Sequence, residues 1–340
     1  MLILRSFRAS GHTGVGIPTL RRRLPRAACR PRNDTTLDEV IFVAIVDTTT
    51  PITSEKANRY ILELTERYPA ARTEVLTTTA FGREIRTLIL GNGPRKVLFT
   101  AAHHANEWIT ALVLLKFAED VLSGAQAPGI LEQATIYMVP LVDPDGVDLV
   151  VGAISPDSDQ YRQAQRISEN FPQIPFPDGW KANLLGTDLN LQYPAGWLQA
   201  REIKFSQGYT RPAPRDYVGR APLNQQESRA LYSYTLEVDP ALVLAYHTQG
   251  KEIYWQFENI FVPGARELGE EFARLSGYDL ADTPYNSSFA GYKDWFIQRF
   301  RRPGFTIEAG SGENPLPIEQ FDEIYRDNLG ILATAVTGGQ

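Results

Sequence analysis

Phe99-Thr100-Ala101-Ala102-His103-His104-Ala105-Asn106-Glu107-Trp108 begins inside a short apolar run, Val97 to Ala101, and leads into a helical stretch, Trp108 to Leu122. The pattern of a β-run, a polar turn and a helix recurs along the chain. Further β-branched or apolar runs lie at Ile85 to Leu90, Ile136 to Val142, Leu242 to Tyr246, Ile253 to Phe257 and Phe305 to Ile307, with another helical stretch at Gln225 to Glu237. Ahead of them, Ala57, Tyr60, Ile61, Leu64 and Tyr68 fall at helical spacing, which predicts a helix from Ser54, as N-cap, to Tyr68, stopped by Pro69. Strands alternating with helices predict an α/β fold whose sheet is covered on both faces. Polar residues follow the strand ends: His103, His104 and Glu107 after one, Asp143, His247 and Glu308 after three others. In open α/β sheets ligands bind beyond the strand C-termini, so residues far apart in sequence are expected to meet there.

Composition narrows the classes. With 340 residues, 43% hydrophobic and 22% charged, the chain has enough material for a large core. The net charge of −6 hides an asymmetry: residues 1–32 carry eight arginines and no acid, which leaves the other 308 residues at −14. A body that acidic is a poor partner for nucleic acid. The Arg-rich leader, residues 1–36, is broken by Gly and Pro and is expected to be disordered, while residues 51–340 read as one catalytic domain. No apolar stretch approaches a membrane span, and Ile41 to Val46 is too short for a secretory signal. Cys29 is the only cysteine, which excludes an intrachain disulfide and disfavours thiolate ligation. A cytoplasmic location is the expectation.

His104 and Glu107 form an H-x-x-E pair that turns an imidazole and a carboxylate toward one point, a set suited to zinc with a position left open for water. Alone the spacing is weak evidence, because such pairs also cap helices and form salt bridges. It gains weight from its company. Residues 99–110 resemble the first ligand motif of the zinc carboxypeptidases, Gly186-Thr187-Asp188-Leu189-Asn190 resembles the segment whose Asp supports a metal-binding His, Ala245-Tyr246-His247 the third ligand, and Phe305-Thr306-Ile307-Glu308 the strand bearing the catalytic Glu. The resemblance spans about residues 51 to 335. It implies a mixed sheet of about eight strands in a single domain, one Zn²⁺ held by His104, Glu107 and His247, Asp188 behind an imidazole, and Glu308 as general base. His103 is expected to pack or hydrogen-bond rather than ligate.

The departures from that family speak to substrate. Ordinary carboxypeptidases hold the terminal carboxylate with an Asn-Arg pair that falls here at Asn190 and Leu191, and Asn106 replaces another common Arg. A neutral side chain cannot reproduce a guanidinium fork, so plain C-terminal trimming is disfavoured. The segments His103 to Thr110, Asp188 to Asn190 with Gln192 and Pro194, Gly291 to Phe296 and Gly312 to Pro317 resemble the subgroup that cleaves the γ-D-glutamyl to meso-diaminopimelate bond of cell-wall (murein) peptides. That resemblance places Lys181 where the family has an oxyanion-stabilising Arg, and Lys293 in the specificity pocket facing a substrate carboxylate. Each lysine also has a plainer reading as a solvated surface residue. Tyr285 falls one residue out of step with the family's mobile substrate-covering Tyr. The aromatic stretch from Asp188 to Tyr217 reads as a long loop at the cleft mouth. Competing functions are an ordinary metallocarboxypeptidase, a zinc-dependent amide deacylase and a catalytically dead peptide-binding protein.

Overall fold

Val97, Phe99 and Ala101 face one side of a sheet and Leu98 the other, and all four are fully buried. Leu242, Leu244 and Tyr246 alternate with Val243 and Ala245 in the same way. Strands apolar on both faces need cover on both, and helices supply it: Ser54–Arg67, Ile109–Leu122 and Phe321–Thr337 on one side, Gln226–Val238 and Tyr292–Phe300 on the other. The computed structural model describes residues 44–339, so the 1–36 leader lies outside the described residues.

The sheet has eight strands: β1 Ala71–Thr78, β2 Glu84–Leu90, β3 Arg95–Ala101, β4 Ala134–Val139, β5 Leu242–His247, β6 Glu252–Tyr254, β7 Asp279–Ala281 and β8 Gly304–Glu308. Their order is β1-β2-β4-β3-β5-β8-β6-β7. β4, β3, β5 and β8 run parallel through the centre, with β2 antiparallel to β4 and β6 antiparallel to β8. The chain leaves β3 toward β4 on one side and β5 toward β8 on the other. The crevice between the C-terminal ends of β3 and β5 is therefore a topological switch point.

The mixed α/β architecture is the expected one, with adjustments at the ends of elements. β4 stops at Val139, short of Val142, because Pro140 has no N–H for the ladder. β6 ends at Tyr254, short of Phe257, where its pairing to β8 runs out. β1 and β7 are additional strands at the two edges. The first helix is capped by Thr53, whose Oγ1 accepts from Lys56 N at 3.1 Å, rather than by Ser54. Ser54 is occupied elsewhere: its N and Oγ donate to Asp148 at 2.7 and 2.6 Å. Asp148 also accepts from Arg83 Nε at 2.6 Å, while Arg83 Nη1 reaches Asp145 at 2.8 Å. Ile45 and Val46, ahead of residue 51, already belong to the core, their backbone N–H groups held by the buried Glu119 carboxylate.

Asp148 thus ties the first helix, the β1–β2 turn and the helix Pro144–Val150 together. Asp148→Ala leaves Ser54 without its acceptor and Arg83 with Asp145 alone, and is expected to cost about 2–4 kcal/mol, measured as a lowered urea midpoint.

Candidate active site

At the end of β3 the chain turns sharply, with Ala102 at φ +48°, a left-handed conformation that a non-glycine residue holds only against strain. Thr110 secures the turn: its Oγ1 accepts from Ala102 N at 3.0 Å and donates to Glu107 O at 2.7 Å. The intervening turn, Ala105–Glu107, projects His104 and Glu107 into the crevice. His247 is the last residue of β5 and Glu308 the last of β8, and the two are register partners. Four polar side chains from three parallel strand ends therefore converge, as the sequence predicts.

Glu107 is 1% exposed and sits between the two imidazoles. Its Oε1 lies 2.9 Å from His104 Nδ1 and its Oε2 2.8 Å from His247 Nδ1, and the two Nδ1 atoms are 3.2 Å apart. Ligand atoms around a tetrahedral zinc ion with bonds of 2.0–2.1 Å stand about 3.3 Å from one another. If both Nδ1 atoms donate to Glu107, two N–H groups oppose each other at 3.2 Å, whereas a cation between them satisfies all three groups. The residues present fit such an ion, and His104, Glu107 and His247 are the group that could hold it.

Behind His104 stands Asp188, whose Oδ1 lies 3.2 Å from His104 Nε2 and accepts from Asn190 N at 3.1 Å. Its Oδ2 accepts from Asp216 N at 3.1 Å. That partner fixes the imidazole's orientation and turns Nδ1 inward. Lys181 Nζ lies 2.8 Å from Glu107 Oε1. Burial alone would favour neutral Glu107, but His104, Lys181 and His247 outweigh it and hold the carboxyl well below its usual range. Glu308 behaves oppositely. Burial, reinforced by the Glu107 charge and only partly offset by Lys181 and His104, pushes it up to about 8. The two acids thus differ: Glu107 is held ionised by the cations around it, and Glu308 is raised by desolvation and by its acidic neighbour.

The other residues singled out from the sequence divide. Lys293 is no solvated lysine: it is 4% exposed, donates to Gln256 O at 2.7 Å and pairs with Asp294 Oδ1 at 2.6 Å. Asn190 lines the cavity that His104, His247, Lys293 and Glu308 also line, and its Oδ1 accepts from Tyr292 N at 3.1 Å. Tyr285 lies apart from it, 69% exposed with its ring edge-on to Phe289. His103 is fully buried, its Nε2 3.2 Å from the Tyr193 hydroxyl, and stacks on His247 without joining the ligand group. Asp143 caps the helix Pro144–Val150 through Gly146 N and takes no part in the ligand group. Asn106 donates to Asp178 O.

Sequence reading missed Lys204, Arg215, Asp216 and Tyr254, all of which line the cavity. They come largely from the stretch read as a loop, which contains the helix Trp197–Ser206. Attention to its aromatics concealed its charges, the one signal that pointed inward. A second, more open cleft, lined by Asn106, Pro175, Gly312 and Asn314, adjoins the first, and Lys181, Arg215, Tyr254 and Glu308 border both.

Residues 57–330 match the zinc carboxypeptidase family model. The chain belongs to the zinc carboxypeptidase family. It is 41% identical over 281 residues to gamma-D-glutamyl-L-diamino acid endopeptidase 1 of Lysinibacillus sphaericus, covering 80% of this chain and 69% of that one. Among solved structures it shares the fold of thrombin activatable fibrinolysis inhibitor (TM-score 0.66, 16% identity, 88% of this chain and 77% of the other). It also shares that of carboxypeptidase A from Helicoverpa armigera (TM-score 0.65, 17% identity, 86% and 76%). As a member of this family the protein is a metallopeptidase, a hydrolase. Among the described residues no helix is long and apolar enough to cross a membrane.

Asp188→Asn keeps the shape but weakens the hold on His104, and is expected to lower divalent-metal affinity about 10–100-fold, read by competition with a chromophoric chelator.

Proposed function

We propose that this protein is a zinc peptidase that hydrolyses the γ-D-glutamyl to diaminopimelate bond of cell-wall peptides, with one Zn²⁺ held by His104, Glu107 and His247. The observation that carries the substrate reading is the pair Lys293–Asp294, buried and lining the same cavity as Glu308. An ammonium and a carboxylate side by side in that cavity complement the distal amino and carboxylate groups of a diamino diacid. Leu191, where carboxypeptidases carry their anion-binding Arg, is 8% exposed and belongs to the core, which speaks against plain C-terminal trimming. Similarity to a relative named as a γ-D-glutamyl-L-diamino acid endopeptidase agrees with this reading.

Bound zinc acidifies water and polarises a carbonyl. The chain's own residues do the rest. Glu308, half-buried and standing beside His247 in register, accepts the proton of the attacking water and returns it to the leaving nitrogen. Lys181 has burial working against its charge, but Glu107 outweighs that and keeps the ammonium protonated. It supplies positive charge where the carbonyl oxygen becomes anionic. Asn190, bonded to Tyr292 N, shapes the cavity wall for the substrate. Tyr285 contributes only by moving inward from its exposed position.

Zinc-loaded protein is expected to release diaminopimelate from L-Ala-γ-D-Glu-meso-diaminopimelate, and chelation to abolish that release. Glu308→Gln should retain one zinc per chain yet lose about 10²–10⁴-fold in kcat. Cleavage of ordinary C-terminal peptides alone would replace the substrate reading, cleavage of acylated amino acids alone would favour the deacylase, and no hydrolysis despite bound zinc would favour the binding protein.

Lys293→Ala is expected to raise KM for the same tripeptide about tenfold or more with a smaller change in kcat. An unchanged KM removes Lys293 from substrate binding.

A further inference from the structure

Lys204, Arg215 and Asp216 form a braced cluster on the cavity wall. Lys204 Nζ and Arg215 Nε both lie 2.6 Å from the Asp216 carboxylate, one on each oxygen. Asp216 is itself pinned, with its backbone at φ +64° and its N–H donating to Asp188 Oδ2 at 3.1 Å. Lys204, 7% exposed, uses its ammonium to hold Asp216. Arg215 differs. Asp216 takes only its Nε, and no hydrogen bond to either terminal nitrogen is found among the described residues. The result is a guanidinium fixed along one edge, with its outer donors still available, beside the reacting centre.

Its position says what those donors would meet. Arg215 borders both the less open cavity and the more open cleft, a place it shares only with Lys181, Tyr254 and the base Glu308 among the described residues. The scissile bond must lie at that junction. The less open cavity, lined by Lys293 and Asp294, suits the terminal diamino acid, which leaves the more open cleft for the glutamyl residue. A γ-linked glutamyl residue carries its free α-carboxylate about 5 Å from the scissile carbonyl carbon, a group that neutral residues lack at that position. A planar fork with two free donors matches a carboxylate in two-point contact.

We propose that Arg215 binds the free α-carboxylate of the γ-linked glutamyl residue and so selects for that acidic residue on the acyl side of the scissile bond. The proposal rests on the murein-peptide reading above. Asp216 and Lys204 are positioning residues that act through Arg215. The missing arginine at Leu191 is thereby not replaced in kind: the cation enters from a different segment and addresses a different carboxylate.

The test uses zinc-loaded full-length protein and three tripeptides: L-Ala-γ-D-Glu-meso-diaminopimelate, the same peptide with the glutamyl α-carboxylate converted to its amide, and the same peptide with an amidated C-terminus. Wild type is expected to prefer the free glutamyl acid over its amide by about 10–100-fold in kcat/KM. Arg215→Gln should collapse that preference toward unity while cutting the amide peptide little, and Arg215→Lys should restore it in part. If wild type cleaves both peptides equally, or Arg215→Gln keeps the preference, the assignment of Arg215 is overturned while the substrate reading stands. It is equally overturned if the effect of Arg215→Gln disappears with the C-terminal amide instead, which would make Arg215 a C-terminal anchor. If wild type cleaves none of the three, the murein-peptide reading fails first and the assignment falls with it.

Discussion

A carboxylate shut away from water at the end of a sheet sets the terms for the rest of this structure. Glu107, 1% exposed, has no access to bulk solvent, and burying such a charge costs several kcal/mol unless it is matched nearby. The match comes from three directions: His104 from its own turn, His247 from β5 and Lys181 from the segment before Asp188. Each has to arrive with sub-ångström tolerance. The left-handed turn at Ala102, the Thr110 clamp and the in-register ends of β5 and β8 serve that delivery. The strain at Ala102 is intelligible in this light, as a small local cost set against an otherwise uncompensated charge.

Much of this was legible in the sequence, and the reasons differ by element. The central strands announce themselves because both faces of β3 and β5 are buried, so Val97–Ala101 and Leu242–Tyr246 are unbroken apolar runs. The edge strands do not. Ala71–Thr78 mixes Arg, Thr and Glu because much of it is exposed, and Asp279–Ala281 is too short to show any pattern. The ligand group was readable because His is scarce and each copy beyond the leader follows a strand. Arg215 and Lys204 were not, since their meeting depends on the fold of a 204–216 segment that carries no periodic signal. Tyr285 rested on a resemblance one residue out of step, and such a resemblance says nothing about which way an exposed turn faces.

Charge is distributed on two scales. The chain beyond its leader is strongly acidic, a field that repels anionic peptides at long range. Within the cavity, Lys181, Lys204, Arg215 and Lys293 gather in a small volume, and acids hold most of them in place: Asp216 for Lys204 and Arg215, Asp294 for Lys293. Selectivity here is thus a matter of where fixed ion pairs still have free donors, rather than of overall potential.

Asp188 divides its two oxygens between different neighbours, one on the outer nitrogen of His104 and the other on the backbone of Asp216. Enzymes that diversify by exchanging loops usually keep the exchanged part mechanically separate from the chemistry. This one does not. A segment 204–216 transplanted from a relative would arrive as more than a specificity cassette, because its backbone also braces the side chain that orients His104. Evolutionary drift in that loop is consequently tethered to the His104–Glu107–His247 cluster, and a graft that ignored Asp216 would disturb the seating of His104 before it had any chance to change the menu of substrates.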